Sequence, residues 1–128
     1  MLTPLSMKRL QGVHDDLVAV VKSASVRGVP FQVIEGVRSI ERQRLLVAQG
    51  ASRTMNSRHL TGHAVDLAVV DGGEARWDWP SYKLLASCMK AAAREIGIPI
   101  EWGGDWVTFK DGPHFQLPWK HYPAEVPA

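Results

Sequence analysis

The sequence predicts an α+β fold, a small antiparallel sheet with helices packed on it. Three observations carry that prediction. Apolar residues recur at helical spacing in two long segments, one near the N-terminus and one after Pro80. Two short stretches, FQVIEGV and HAVDLAVV, are rich in β-branched residues and read as strands. The chain then closes on two more short strands, in PIEWGG and WVTFKDGPHFQL, around a turn at Gly103-Gly104. No repeat, low-complexity tract or linker divides the 128 residues, so one domain over residues 1–128 is expected.

Each element follows from local chemistry. Leu10, Val13, Leu17, Val20, Val21 and Ala24 define a helical region over about Ser6 to Arg27. Gly12 is a candidate break in it, with Asp15 capping the longer second piece, and Gly28 and Pro30 stop it. FQVIEGV, Phe31 to Val37, is the first strand. Ser39 caps the helix IERQRLLVAQ, which Gly50 ends. Ser52 to Arg58 is polar loop, and His63 to Val70 is the second strand. Asp71-Gly72-Gly73 makes a turn, and loop continues to Trp79. Pro80 opens a helix to about Ile96, with a buried stripe of Leu84, Leu85, Cys88, Met89, Ala92 and Ile96; Gly97 and Pro99 end it. From Pro118 the proline-rich tail is expected to wrap the surface.

Bulk composition excludes more than it assigns. The length suffices to bury a core without staples, and the apolar share is ordinary for a globular protein. The net charge of +2 is mild; it favours contact with an anionic polymer such as a cell wall, and no Lys/Arg block is dense enough for nucleic acid. The single cysteine, Cys88, rules out an intrachain disulfide and sits on a buried helix stripe, where it is inert. The N-terminus lacks the apolar region of an export signal, and no stretch is long and apolar enough to span a membrane. A substrate outside the cytoplasm would therefore require another factor to move the protein to it.

SRHLTGHAVDLA, Ser57 to Ala68, carries two histidines and an aspartate within eight positions. A hydrolytic zinc site needs three protein ligands and an open position. His59 and Asp66 are the best candidates. Asp66 stands amid an apolar strand, where a carboxylate is costly unless paired or bound to a cation. Gly62 permits the sharp turn that brings loop and strand together. His63 competes, but it and Asp66 are three apart on a strand and tend to opposite faces, so it is placed in a supporting or surface role. DGPHF, Asp111 to Phe115, is the source of a third ligand, His114, with Asp111 near enough to act as a general base. His14 reads as a helix-terminus residue and His121 lies in the tail. A lone histidine at a strand end is more often structural, and Asp66 is equally satisfied by an arginine or by backbone amides.

Ser57-x-His59-x-x-Gly62-x-Ala64-x-Asp66 with a distant Asp111-x-x-His114 resembles the LAS zinc peptidases, the D-alanyl-D-alanine metallopeptidase group, whose fold is shared with Hedgehog. Within the group it is most similar to phage endolysins that cut the L-alanyl-D-glutamate bond of peptidoglycan stem peptides. LQGVHDDLVAVVK, EGVRSIERQ and EWGGDWVTFKDGPHFQL extend the resemblance over nearly the whole chain.

The resemblance implies one zinc ion held by His59, Asp66 and His114, with Asp111 as the catalytic acid/base and Arg38 stabilising the oxyanion. The aspartate at 111, where many relatives carry glutamate, fits the endolysin branch. It also implies polar positions near substrate at Gln43 and Ser57. Trp102 and Trp106, beside the glycine turn, are candidate groove walls, while Trp77, Trp79 and Trp119 are assigned to packing. The alternative for Arg38 is a structural pair with Glu35 or Glu41; Arg42 and Arg44 read as solvated helix charges. The expectation is a monomeric peptidoglycan endopeptidase, made in the host cytoplasm without a signal peptide and released through a holin-type pore to lyse the cell. The rivals are a D-alanyl-D-alanine carboxypeptidase or dipeptidase of the same group, and a non-catalytic wall-binding module that kept the zinc. Asp111 argues against the latter, since a binding relic needs no base.

Overall fold

The computed structural model describes residues 2–52 and 54–124. In chain order the elements are α1 (Pro4–Arg9), α2 (Asp15–Ser25), β1 (Phe31–Glu35), α3 (Ile40–Ala48), β2 (Ala64–Asp71), β3 (Glu74–Ala75), α4 (Trp79–Ile96), β4 (Glu101–Trp102) and β5 (His114–Gln116). A 3₁₀ turn, Arg58–Thr61, leads into β2, and another, Gly103–Asp105, follows β4. The sheet runs β1-β2-β5-β4, antiparallel throughout, and β3 folds back on β2. This is the mixed helix and small antiparallel sheet that the sequence predicts.

The two faces of the sheet differ in chemistry because side chains alternate along a strand. Val65, Leu67 and Val69 of β2, with Val33 and Phe115, join the core formed by Leu17, Val20, Val21 and Ala24 of α2 and the inner face of α4. Each fully buried aliphatic side chain of this kind contributes about 1.5–3 kcal/mol relative to exposure. Ala64, Asp66 and Ala68 occupy the other face of β2. The β1–β2 register shifts between Val33 and Glu35, so Val33 faces Leu67 while Glu35 faces Asp66. A one-residue irregularity of this kind re-aims side chains, and here it turns Glu35 away from the core.

Several local expectations are corrected. The first helical region is two helices, and the break includes Gly12 at φ +84°. His14 caps α2 by accepting from the Asp16 amide, so Asp15 is the first helical residue and not the cap. The first strand ends at Glu35, two residues early. Residues 74–75, expected as loop, form β3 on the glycine turn. Asp78 caps α4 through the Ser81 amide, so the helix starts at Trp79. In α4, Leu84 is 54% exposed and Ile96 40%; Ala86 and Ala93 take their place on the buried face. Of the closing segments only residues 101–102 and 114–116 pair as strands, and residues 106–113 are loop and turn.

The tail is tied down as far as Tyr122, and residues 125–128 lie outside the described residues. Buried Arg58 donates from Nε and Nη2 to the Leu117 carbonyl (3.2 and 2.9 Å) and from Nη2 to the Tyr122 carbonyl (2.6 Å). Trp119 stacks on its guanidinium at 4.1 Å, and the Tyr122 hydroxyl donates to Asp16. No helix among the described residues is long and apolar enough to cross a membrane.

Candidate metal centre

Strand register assembles the site. Asp66 stands opposite Glu35 on one side and His114 on the other, and Gln116 stands opposite Glu101. These residues share the face of the sheet turned away from the core. His59 joins them from the 3₁₀ turn, its amide donating to the Ser57 hydroxyl at 3.2 Å. Gly62 then reverses the chain at φ +76°, and a Cβ there would lie 2.4 Å from the Gly12 carbonyl oxygen. Only glycine permits both the backbone angle and the contact. On the opposite wall, a Cβ at Gly103 would lie 2.3 Å from the Asp111 carbonyl oxygen. That close approach lets the Asp111 amide donate to the Gly103 carbonyl and holds the loop against β4.

His59 Nε2 lies 3.2 Å from Asp66 Oδ1, and His114 Nδ1 lies 3.4 Å from the same oxygen. One atom from each of the three residues falls within a common 4.8 Å span, the geometry of a cluster that could hold a metal ion. The outer nitrogen of each ring is engaged: His59 Nδ1 meets the Gly36 carbonyl at 2.9 Å, and His114 Nε2 meets Gln116 Oε1 at 2.8 Å. Both outer partners are acceptors, so each outer nitrogen carries a proton, and each inner one, once it gives up any proton shared with Asp66, is free to offer a lone pair to an ion. That is how metal-ligating histidines are oriented. Two imidazole nitrogens and one carboxylate oxygen, with room left for water, suit a catalytic zinc site better than an oxygen-seeking ion.

The carboxylates are driven apart. Burial pushes Asp66 up, but hydrogen bonds from His114 and His59 and their charges outweigh it and hold the carboxyl well below its usual range. Burial, and then the Asp66 charge, raises Asp111. His114 is raised as well: burial opposes its charge, but the Asp66 hydrogen bond and charge prevail. Asp111 Oδ2 stands 4.0 Å from His114 Nδ1.

Arg38 is both a structural pair and a site residue. Its Nε and Nη2 donate to Glu35 at 2.8 and 2.9 Å, Nη1 donates to Gln43 Oε1 at 2.8 Å, and Nη2 lies 3.6 Å from Asp66 Oδ2. Burial raises Glu35, but the Arg38 hydrogen bonds and charge hold it below its usual value. Arg42 is exposed, as expected of a solvated charge.

A cavity of about 610 Å³ opens over the cluster. Its lining includes Arg38, Ser57, His59, Asp66, Asp111 and His114, together with Trp106, whose ring centre is 5.1 Å from that of His114. Several sequence expectations are corrected. Trp102 is 7% exposed and donates from Nε1 to the Gly112 carbonyl; next to Glu101 on a strand, it must take the core face. Gln43 is fully buried behind Arg38, donating to Ser52 Oγ and the Thr54 carbonyl, so it braces the arginine and does not line the cavity. Trp119, assigned to packing, does line it, while Trp77 is 57% exposed. His63 is outside the cavity, with Nδ1 on Thr61 Oγ1 and its ring beside His14. Sequence reasoning missed Gln116, Glu101, Arg58 and Phe109 in the lining. Gln116 carried a usable signal, since it is two residues from His114 on the same strand face.

Comparison with known proteins points in one direction. A family model described as phage L-alanyl-D-glutamate peptidase matches residues 1–117. The L-alanyl-D-glutamate peptidase of Listeria phage A118 is 38% identical over 99 residues, 77% of this chain and 34% of that protein. The chain thus spans about a third of the length of that relative. The peptidoglycan L-alanyl-D-glutamate endopeptidase CwlK of Bacillus subtilis is 29% identical over 118 residues, 82% of this chain and 71% of that protein. Among solved structures, the Serratia marcescens L-Ala D-Glu endopeptidase ChiX superposes with a TM-score of 0.91 at 50% identity, covering 97% of this chain and 95% of that one.

Proposed function

The chain belongs to the phage L-alanyl-D-glutamate peptidase family, and from that premise we propose that it is a zinc-dependent endopeptidase hydrolysing the L-alanyl-D-glutamate bond of peptidoglycan stem peptides. The observation that carries the reading is the convergence of His59, Asp66 and His114 beneath a cavity that Asp111 and Arg38 also line.

His59 Nε2, Asp66 Oδ1 and His114 Nδ1 would hold the ion. Zinc in such a site supplies Lewis acidity, polarising the scissile carbonyl and lowering the pKa of a water. Asp111 is the general base and acid: it accepts a proton from the attacking water and passes it to the leaving amine of D-glutamate. Its raised pKa, set by burial and by Asp66, suits a group that must hold a proton between the two steps. Arg38 directs its guanidinium at the developing oxyanion. Glu35 and Gln43 fix its position, so little reorganisation is needed as charge builds. Ser57 and Trp106 both line the cavity and would contact the bound peptide.

Action as a monomer is part of the proposal. The similarity to a phage peptidase supports action on the cell wall as a lysin; synthesis in the host cytoplasm and release through a holin-type pore belong to the proposal.

The test is a digest of purified peptidoglycan read by mass spectrometry, with and without chelator. New N-terminal D-glutamate on released peptides, abolished by chelation and by Asp111→Ala, is expected. Release of terminal D-alanine alone would move the assignment to a carboxypeptidase. No cleavage by folded, zinc-loaded protein would leave a wall-binding module.

A further inference from the structure

We propose that Gln116, oriented by Glu101, is a positioning residue that fixes His114 as its Nε2–H tautomer and so presents Nδ1 to the metal. The proposal rests on the zinc reading above. Gln116 and Glu101 are direct partners in the β4–β5 pairing, and both side chains lie on the site face of the sheet. Gln116 Nε2 donates to Glu101 Oε1 at 3.1 Å, and Gln116 Oε1 meets His114 Nε2 at 2.8 Å.

The order of donors follows from the far end inward. An ionised carboxylate only accepts, so Glu101 must face the amide NH₂ of Gln116. The amide oxygen is then left facing His114. An oxygen there requires the proton on Nε2, which leaves the lone pair on Nδ1, 3.4 Å from Asp66 Oδ1. Without Glu101 the amide is free to turn over. Its NH₂ would then face the ring and favour the tautomer with the proton on the wrong nitrogen.

The two histidines are held by different means. His59 relies on the Gly36 backbone carbonyl, which cannot turn over. His114 relies on a side chain that can, and Glu101 removes that freedom. Gln116 is buried while Glu101 is exposed, so Glu101 can be replaced with little risk to the fold.

The experiment measures zinc affinity by competition with a chromophoric chelator, alongside thermal midpoints of the metal-free proteins. Gln116→Leu is expected to weaken zinc about 10- to 100-fold with a folded metal-free protein. Glu101→Gln should weaken it several-fold. Gln116→Glu, an acceptor in every orientation, keeps the His114 tautomer and should retain most of the affinity. The double variant Glu101→Gln/Gln116→Glu fixes an acceptor at 116 that cannot turn over, and should recover most of the affinity lost in Glu101→Gln. A packing role would not be rescued in this way. In the zinc-loaded wild type, long-range ¹⁵N–¹H correlation should place the His114 proton on Nε2. A proton on Nδ1, or folded Gln116→Leu and Glu101→Gln proteins with wild-type affinity, overturns the relay alone. A wild-type protein that binds no zinc overturns the relay and the zinc reading together.

Discussion

Asp66 and His114 stand directly opposite each other where β2 pairs with β5, with 3.4 Å between carboxylate and imidazole. Their meeting is set by register. A slip of one residue would turn one of them into the core and separate the pair. Glu35 continues the row on the other side of Asp66, and it anchors Arg38. Three strands therefore place an anchor for the charged arginine, the shared carboxylate and a histidine in a single line. His59 is added from the turn that precedes β2.

The ligand set makes the two histidines of the HLTGH stretch inequivalent. His59→Ala should leave the purified protein with little zinc, because it removes an inner nitrogen from the cluster. His63→Ala should keep close to one zinc per chain, because His63 points to Thr61 and His14. Metal content by plasma mass spectrometry decides it, and equal loss from both variants would refute the assignment.

Asp111 is predicted to separate binding from turnover. It lines the cavity without belonging to the three-residue cluster, so Asp111→Asn should retain zinc. Removing a general acid/base typically costs about 10²–10⁴ in rate. Single-turnover cleavage of a stem peptide, normalised to bound zinc, reads that loss. A variant retaining more than a tenth of the wild-type rate would remove Asp111 from the mechanism.

What could be read from the sequence divides along physical lines. Asp66 was legible because a carboxylate in an apolar strand needs an explanation, and His114 because it opens another such strand beside Gly112 and Pro113. Helix ends at Ser39 and Gly97 were legible because caps are local chemistry. Register across the sheet is not local. The shift between Val33 and Glu35, the Glu101–Gln116 pairing and the reach of Arg58 to Tyr122 depend on residues far apart in the chain. Trp102 was misplaced for the same reason: without knowing that Glu101 faces the site, nothing marks its neighbour as a core residue.

Gln43 is expected to act on catalysis from behind Arg38. Gln43→Leu removes the acceptor for Arg38 Nη1 and takes from the Thr54 carbonyl the shorter of its two hydrogen bonds, leaving only the Ser52 hydroxyl at 3.4 Å. The Arg38 Nη1 group then loses its acceptor, and a polar group shut off from water without a partner costs about 1–3 kcal/mol, so the thermal midpoint should fall. A less tightly held Arg38 should reduce kcat more than it raises KM, because its charge matters most once the oxyanion forms. A rise in KM with unchanged kcat would instead make Gln43 a substrate contact.

Zinc uptake should depend on pH with a definite sign. In the metal-free protein His114 holds its proton more tightly than usual, chiefly because the Asp66 hydrogen bond and charge outweigh burial. A ligating Nδ1 must give that proton up, so binding releases protons and affinity rises with pH. The metal-free protein behaves in the opposite way at its upper end. The raised His114 contributes stability that is fully present below the unfolded histidine pKa of about 6.5 and lost as pH rises through its folded value. The depressed Asp66 contributes stability present above the unfolded carboxylate pKa of about 3.9 and lost as pH falls through its folded value. The two contributions overlap in full only between about pH 4 and 6.5. Zinc that binds only the folded state would stabilise it by an amount that grows with affinity. The gap in thermal midpoint between zinc-loaded and metal-free protein should therefore widen from pH 5 to pH 8. Paired melting curves at fixed free zinc measure it, and a gap that stays flat or narrows over that range would exclude His114 as a ligand that must shed a proton.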